Sequence, residues 1–513
     1  MTKNKKRKDF LFEGAEWDFE KLKRTYDAIS EIALNDLGLD VYPNQLEVVS
    51  AEQMLDAYAS VGMPLMFKYW AYGKHFAQQE EMYRRGRMGL AYEMVINSNP
   101  CISYNMEENT MALQTLVMAH AAFGHNHFFK NNQLFKEWTD AEFILDYLSY
   151  AKDFVARCEE KYGADAVEEL LDAAHALQRY GVFRYSRHQE LSKKEVKKRN
   201  EDRLRDKEQS YDEIFERTAP NIFVEEDDEN VSLSKEQQKK RKKKLGLPEE
   251  NLLYFLEKNS PVLIGWQREI LSIMRHLAQY FYPQKQTKMM NEGCACFVHY
   301  YIINALYDKG LLSDGTMLEI LKHHSNVVLQ FDYDDRRYSG LNPYALGFHM
   351  MMDIKRICED PTDEDREWFP TFAGSDDWRS VLKDAWSNYR DESFIRQFLS
   401  PHLIRHFKFF ELYDDSEDDE YEVTDIHDEK GYRRIRNTLA QMYDISHADP
   451  NIQIVDVDLT GDRELCLEHK MRDDMILDVK TAAEVNKHLS ILWGYDVYLT
   501  SVDEDGTEEV IYD

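Results

Sequence analysis

Met111-Ala112-Leu113-Gln114-Thr115-Leu116-Val117-Met118-Ala119-His120-Ala121-Ala122-Phe123-Gly124-His125-Asn126-His127 is an apolar run that closes on three imidazoles. Leu113, Leu116, Val117, His120 and Phe123 recur at three- and four-residue spacing, the period of a helix that buries one face. The spacing predicts a helix over 111–123 with His120 turned into a core. Gly124 is expected to end or distort that helix, leaving His125 and His127 in the turn beyond, with His127 exposed or incidental. An imidazole in a core costs free energy unless it is paired, hydrogen-bonded or bound to a metal. Taken alone, His120 fits a core histidine bonded to a backbone carbonyl as well as it fits a functional group.

A second polar-in-apolar stretch repeats the pattern: Met290-Asn291-Glu292-Gly293-Cys294-Ala295-Cys296-Phe297-Val298-His299-Tyr300. On a helix, Glu292, Ala295, Cys296, His299, Ile302, Ile303 and Leu306 form one stripe. Glu292 and His299 are then two turns apart, about 10.5 Å along the axis, too far to share one ion from one helix. A second helix, such as the one carrying His120, would complete a site between them. A carboxylate with a partner imidazole suits a general acid/base pair or half of a metal centre. A buried polar network that only sets helix register fits the same residues.

Glu93 is a third buried-carboxylate candidate, read on a helix with Leu90 and Ile96. His324 follows a helical segment, where it either complements the helix dipole or closes the site. The arginines of Arg336-Arg337-Tyr338-Ser339-Gly340 bind an anion or tie down Asp332, Asp334 and Asp335. Several motifs are missing: HExxH, a Walker A loop, a GxGxxG turn and GxSxG. An ordinary zincin, a nucleotide hydrolase, a dinucleotide oxidoreductase and a serine hydrolase therefore have no warrant.

The bulk numbers bound the rest. The chain has 513 residues, 43% hydrophobic and 13% aromatic, enough for a large core in two or three domains. A formal net charge of −31 repels nucleic acid and anionic lipid. Six scattered cysteines form no disulfide framework or paired zinc knuckle. There is no apolar run of about 20 residues to span a membrane and no signal-peptide core, so a cytoplasmic protein with reduced thiols is expected.

The expected fold is mainly α. A large helical body covers 15–413 and carries a charged insertion at about 186–248, marked by Lys193–Arg199, Glu225–Glu229 and Lys239–Lys244. The acidic run Asp414–Glu420 is expected to be the hinge. A small α/β module over 421–513 follows, with two hairpins (452–458 with 464–469, and 496–502 with 508–512) and two helices (428–443 and 481–493).

Longer motifs carry a resemblance. Gly89-Leu90-Ala91-Tyr92-Glu93-Met94-Val95-Ile96-Asn97-Ser98-Asn99-Pro100-Cys101 is one. Gly124-His125-Asn126-His127-Phe128-Phe129-Lys130-Asn131-Asn132 and Asn342-Pro343-Tyr344-Ala345-Leu346-Gly347-Phe348 are others, with Asp458-Leu459-Thr460-Gly461-Asp462-Arg463 near the end. By these the chain resembles the SpoVR family (stage V sporulation protein R and its relatives). Where the family usually reads Asn-Glu-Gly-Trp-Ala-Thr-Phe-Trp-His, this chain has Cys294, Cys296 and Val298 for Trp, Thr and Trp, while Glu292 and His299 remain. The resemblance implies a role in spore cortex formation and in stress and cell-envelope regulation. It also implies a PrkA-type serine kinase and a von Willebrand A-like protein as partners. It brings no established reaction. Two functions follow as expectations. One is a regulatory or scaffold protein acting with those partners. The other is a metal-dependent hydrolase-like enzyme holding a divalent metal such as zinc with His120, His125, Glu292, His299 and His324, and using Glu292, His299 and Glu93 in catalysis.

Overall fold

The computed structural model describes residues 9–60, 66–85, 93–184, 245–409, 411–413, 422–425, 429–458, 461–472, 475–503 and 508–512. The charged runs of the insertion, the acidic run Asp414–Glu420 and the stretch expected to lead helically into Glu93 lie outside the described residues. Mainly α is the observed class. The described residues divide into two compact units, one from 1–179 with 263–450, the other from 180–262 with 451–513.

The first unit is built around the Lys288–Asp308 helix. Met289, Met290, Cys294, Ala295, Cys296, Phe297, Val298, Ile302, Ile303 and Leu306 are buried on all its sides, as expected of a helix at the centre of a core. Its first turn is capped from outside: the Asp391 carboxylate accepts the Met289 and Met290 N–H groups at 2.9 and 2.8 Å. Two of its neighbours come unusually close. A Cβ on Gly293 would lie 2.5 Å from the Gly347 carbonyl carbon, and one on Gly347 would lie 2.3 Å from Met289 O. The Pro343–Glu359 helix therefore crosses it backbone to backbone. On another side, a Cβ on Gly124 would lie 2.5 Å from Ala295 Cα.

A small sheet sits in this helical body and was not legible in the periodicity. Strands β1 (Asn44–Val49), β2 (Glu93–Ile96) and β3 (Cys101–Met106) lie in the order β1-β3-β2, with β1 parallel and β2 antiparallel to β3. Glu93 is thus on a strand, paired in register with Asn105, and not on the expected helix. Val95 and Ile96 are β-branched and directly precede the break at Asn97–Pro100, a combination that favours a strand. Farther on, β4 (Glu411–Tyr413) and β5 (Glu422–Asp425) pair antiparallel.

The expected hairpins both form in the second unit. Strands β6 (Asn451–Val457) and β7 (Leu465–Lys470) pair antiparallel, as do β8 (Val497–Val502) and β9 (Glu508–Tyr512). Between the hairpins, β7 and β8 pair parallel, joined by the Val479–Trp493 helix. Glu249 adds a bridge to β6, its N–H and C=O bonding Ile454 at 2.9 and 2.8 Å. The end of the segment expected as an insertion thus belongs to this unit. The helix expected at 428–443 forms as Glu429–Met442, but in the first unit. Its Arg436 donates to Leu399 O at 2.8 Å, and its Leu439 and Ala440 join the large core.

The glycine crossing gives a direct test. Gly347→Ala should destabilise the protein by about 1–3 kcal/mol or more through overpacking. Gly73→Ala, in the Trp70–Arg84 helix with nothing within 4 Å of the added Cβ, should be neutral or stabilising by up to about 1 kcal/mol. Thermal unfolding of the two variants reads the difference, and equal midpoints would reject the close crossing.

Candidate functional site

Local helix geometry aligns the first two imidazoles. The chain runs as an α-helix over Met111–Met118, as a π-helix over Ala119–His125 and again as an α-helix over Asn126–Asn131. In an α-helix, five residues sweep about 500°, which would turn His125 about 140° from His120. The wider π-turn bonds residue i to i+5, turns less per residue and so reduces that offset. The two rings meet edge to face, with centroids 4.6 Å apart. Gly124 does not end the helix; it lies inside the π-turn, where the missing side chain lets the turn press on Ala295. His127 is buried, contrary to expectation. It bonds the Asp40 backbone through Nδ1 and takes no part in the cluster.

Three elements converge on one point. His120 Nε2 lies 3.6 Å from Glu93 Oε1 and 3.8 Å from Glu292 Oε2, and His125 Nε2 lies 3.5 Å from the same Glu292 oxygen. These gaps are too long for hydrogen bonds. They match the edge of a coordination tetrahedron, about 3.4 Å when each ligand sits about 2.1 Å from a cation. Glu292 Oε2 is buried with no hydrogen-bond partner. His125 is held in one tautomer, because its Nδ1–H donates to Asn291 Oδ1 at 3.0 Å. Its Nε2 therefore turns a lone pair toward the Glu292 oxygen. Two acceptors facing each other in a sheltered site repel unless a cation or proton lies between them.

The remaining expected residues form a file behind His120. His120 Nδ1 and His299 Nδ1 are 2.9 Å apart, and His299 Nε2 and His324 Nδ1 are 2.7 Å apart. A second possible ligand set, His120 with Cys296 and His299, shares His120 with the set His120, His125 and Glu292. The two differ in what fills them. A hydrogen bond already closes the His120–His299 contact, whereas the His120–His125–Glu292 opening is spanned by none. Asn291, Cys296 and Tyr344 were not singled out from the sequence. Cys296 was visible on the Glu292–His299 stripe. Asn291 neighbours Glu292, and Tyr344 is brought in by the Pro343–Glu359 helix, a contact no spacing reveals.

The environment separates the two carboxylates. Burial raises Glu93, partly offset by His120, and Glu292 adds to the rise. Burial also opposes ionisation of Glu292, but His125, His120 and the hydrogen bond from the Tyr344 phenol together hold it below the usual carboxylate range. The surroundings thus favour the ionised form at Glu292 and disfavour it at Glu93. For His120, burial is outweighed by Glu292 and Glu93, and its affinity for a proton rises. Burial, with His120 and His324 beside it, pushes His299 well below its ordinary value.

Comparison with known proteins divides the chain near residue 450. The model described as SpoVR like protein matches residues 16–448, and that described as SpoVR-like C-terminal domain matches 450–504. The chain belongs to the SpoVR family. The junction between the two SpoVR matches falls where the described fold passes from its first unit to β6. A SpoVR-length relative, the uncharacterized protein YcgB of Escherichia coli (strain K12), is 50% identical over 501 residues, covering 98% of this chain and 96% of that protein. No solved structure matches the chain. Among the described residues, no helix is long and apolar enough to cross a membrane.

Acid should unfold this protein in a defined window. Burial pushes His125, His127 and His324 down to about 4. Their unfolded value is about 6.5. Between those values the unfolded chain binds protons that the folded one refuses. The stability these rings carry is complete above about pH 6.5 and is lost as pH drops toward 4, at up to about 1.4 kcal/mol per pH unit for each ring. Asp391, raised to about 7, gains a proton on folding over the same window and offsets about one ring's share. Urea midpoints measured from about pH 7 down to about pH 4.5 should decline steadily, and a flat profile would contradict the burial of neutral imidazoles.

Proposed function

We propose that this SpoVR-family protein is a metal-dependent enzyme of hydrolytic type. Its divalent cation, zinc being the best fit to two imidazoles and a carboxylate, is held by His120 Nε2, His125 Nε2 and Glu292. One observation carries the reading: an orphaned Glu292 oxygen faces two imidazole nitrogens at 3.5 and 3.8 Å, across gaps of coordination length and not of hydrogen-bond length. When bound, such a cation lowers the pKa of a coordinated water to about 7 and polarises an acyl or phosphoryl oxygen. Glu93 is the proton carrier in this reading, 3.6 Å from His120 and with its proton affinity raised by burial. In this reading His299 and His324 are not ligands.

The family resemblance supplies a process for such an activity, namely cortex and cell-envelope assembly under stress, beside the PrkA-type kinase and the von Willebrand A-like protein. A regulatory or scaffold role with those partners would use surface residues and leave the buried cluster without a purpose, so the metal reading is preferred.

Metal analysis of the purified full chain tests it. The wild type should hold about one zinc per chain, and Glu292→Gln and His125→Ala should each weaken zinc binding at least about 100-fold while staying folded. Glu93→Gln should keep the metal. A wild-type protein that takes up no stoichiometric divalent metal, or a Glu292→Gln variant that binds it as well as wild type, would defeat the proposal.

A further inference from the structure

The file of imidazoles behind His120 obeys a strict rule. A neutral imidazole has one N–H and one acceptor nitrogen. Each of the two contacts, 2.9 Å between His120 Nδ1 and His299 Nδ1 and 2.7 Å between His299 Nε2 and His324 Nδ1, needs one proton. If His120 donates, His299 must accept at Nδ1, so it carries its proton on Nε2 and donates to His324. If His299 donates to His120, its Nε2 is bare and His324 must donate to it. Only these two arrangements exist for neutral rings, and each fixes all three tautomers at once. Burial disfavours charge on the two rings behind His120, His299 being 1% and His324 5% exposed, and a cation on His120 Nε2 leaves that ring only its Nδ1 proton. The far ring is also held in place, His324 packing on Phe348 and Tyr300 with centroids 4.8 and 4.9 Å away.

We propose that His299 and His324 are positioning residues that select the metal-binding tautomer of His120. This rests on the metal reading above. A cation on His120 Nε2 demands a proton on His120 Nδ1, which forces Nε2–H on His299 and Nε2–H on His324. The acceptor that closes the file, His324 Nδ1, therefore holds the lone pair of His120 toward Glu292 from two residues away. In passing from the opposite arrangement to this one, each ring moves its proton from one nitrogen to the other. One proton leaves to water at the cation end, one is taken up from water at His324 Nε2, and no ring changes charge. His324 thus matters to metal binding without touching the metal. A nitrogen-bound orienting partner of this kind raises the basicity of the ligand it bonds.

The test has two parts, both on the full chain. Long-range proton–nitrogen spectra of ¹⁵N-histidine-labelled protein loaded with one equivalent of zinc should show His324 protonated on Nε2, its signal assigned by loss in His324→Gln. Zinc titrations should show His324→Gln, whose side-chain oxygen can still accept from His299, within about threefold of wild type, and His324→Leu about tenfold or more weaker. Nδ1–H on His324 in the zinc-loaded protein, or equal affinities for the two variants, overturns the inference while leaving the metal site standing. Failure of the wild type to bind zinc overturns both. If His324→Leu does not fold, the tautomer observed in the wild type decides alone.

Discussion

Everything chemical in this molecule depends on one sheltered repulsion. Glu292 Oε2 and His125 Nε2 face each other at 3.5 Å, the first a carboxylate oxygen that itself accepts no hydrogen bond, the second bare because its other nitrogen donates to Asn291. Such a contact is unfavourable by itself, more so away from water, where charges are poorly screened. Proteins retain such arrangements where something positive is to be received. His120 meets the same oxygen from the other side, and Glu93 stands beside it.

The fold pushes these groups together by removing side chains. Gly293 and Gly347 let two core helices touch through their backbones, which brings the first turn of Pro343–Glu359, and with it Tyr344, onto Glu292. Gly124 lets the π-turn lie against Ala295, one helical turn past Glu292. The two cysteines of the central helix are part of the same economy of space. Cys294 and Cys296 are fully buried in the core beside the Glu292–His299 stripe. The helix that bears Glu292 is in turn anchored at its start by Asp391. Burial pushes that carboxyl up to about 7 even as it accepts two backbone N–H groups. Polar groups are concentrated along this one helix: a carboxyl at its cap, the Glu292 carboxylate in its second turn and the His299 imidazole two turns on.

That layout explains why the cluster is linear and not compact. Glu292 and His299 are separated along one helix, as their spacing requires, and His120 bridges them with its two nitrogens, one facing each. The site is a coordination-like opening at one end and a hydrogen-bonded file at the other. His324 is distant from the opening yet coupled to it, since each imidazole has a single proton to place.

The sequence by itself indicated the helical body, the two C-terminal hairpins, the family and the burial of His120 and His299, though not of His127, because periodicity reports which face of an element is covered and long motifs are not accidental. It also placed Glu292 and His299 correctly on one stripe and on separate parts of it. The sheet of β1, β2 and β3 escaped, since β3 is buried on both faces and shows no period of two, and Glu93 is read on a helix as a result. The sequence grouped His120 and His125 as ligands of one metal, with His125 in a turn beyond the helix and not on a continuous one. Only the tertiary structure decided that the chain opens into a π-turn there, and that Asn291, Cys296 and Tyr344 join the cluster. It alone assigned Glu429–Met442 to the helical unit. Side-chain spacing encodes what a residue does within its own element. Which elements touch, and which backbone variant relieves the crowding between them, is settled by packing over the whole core.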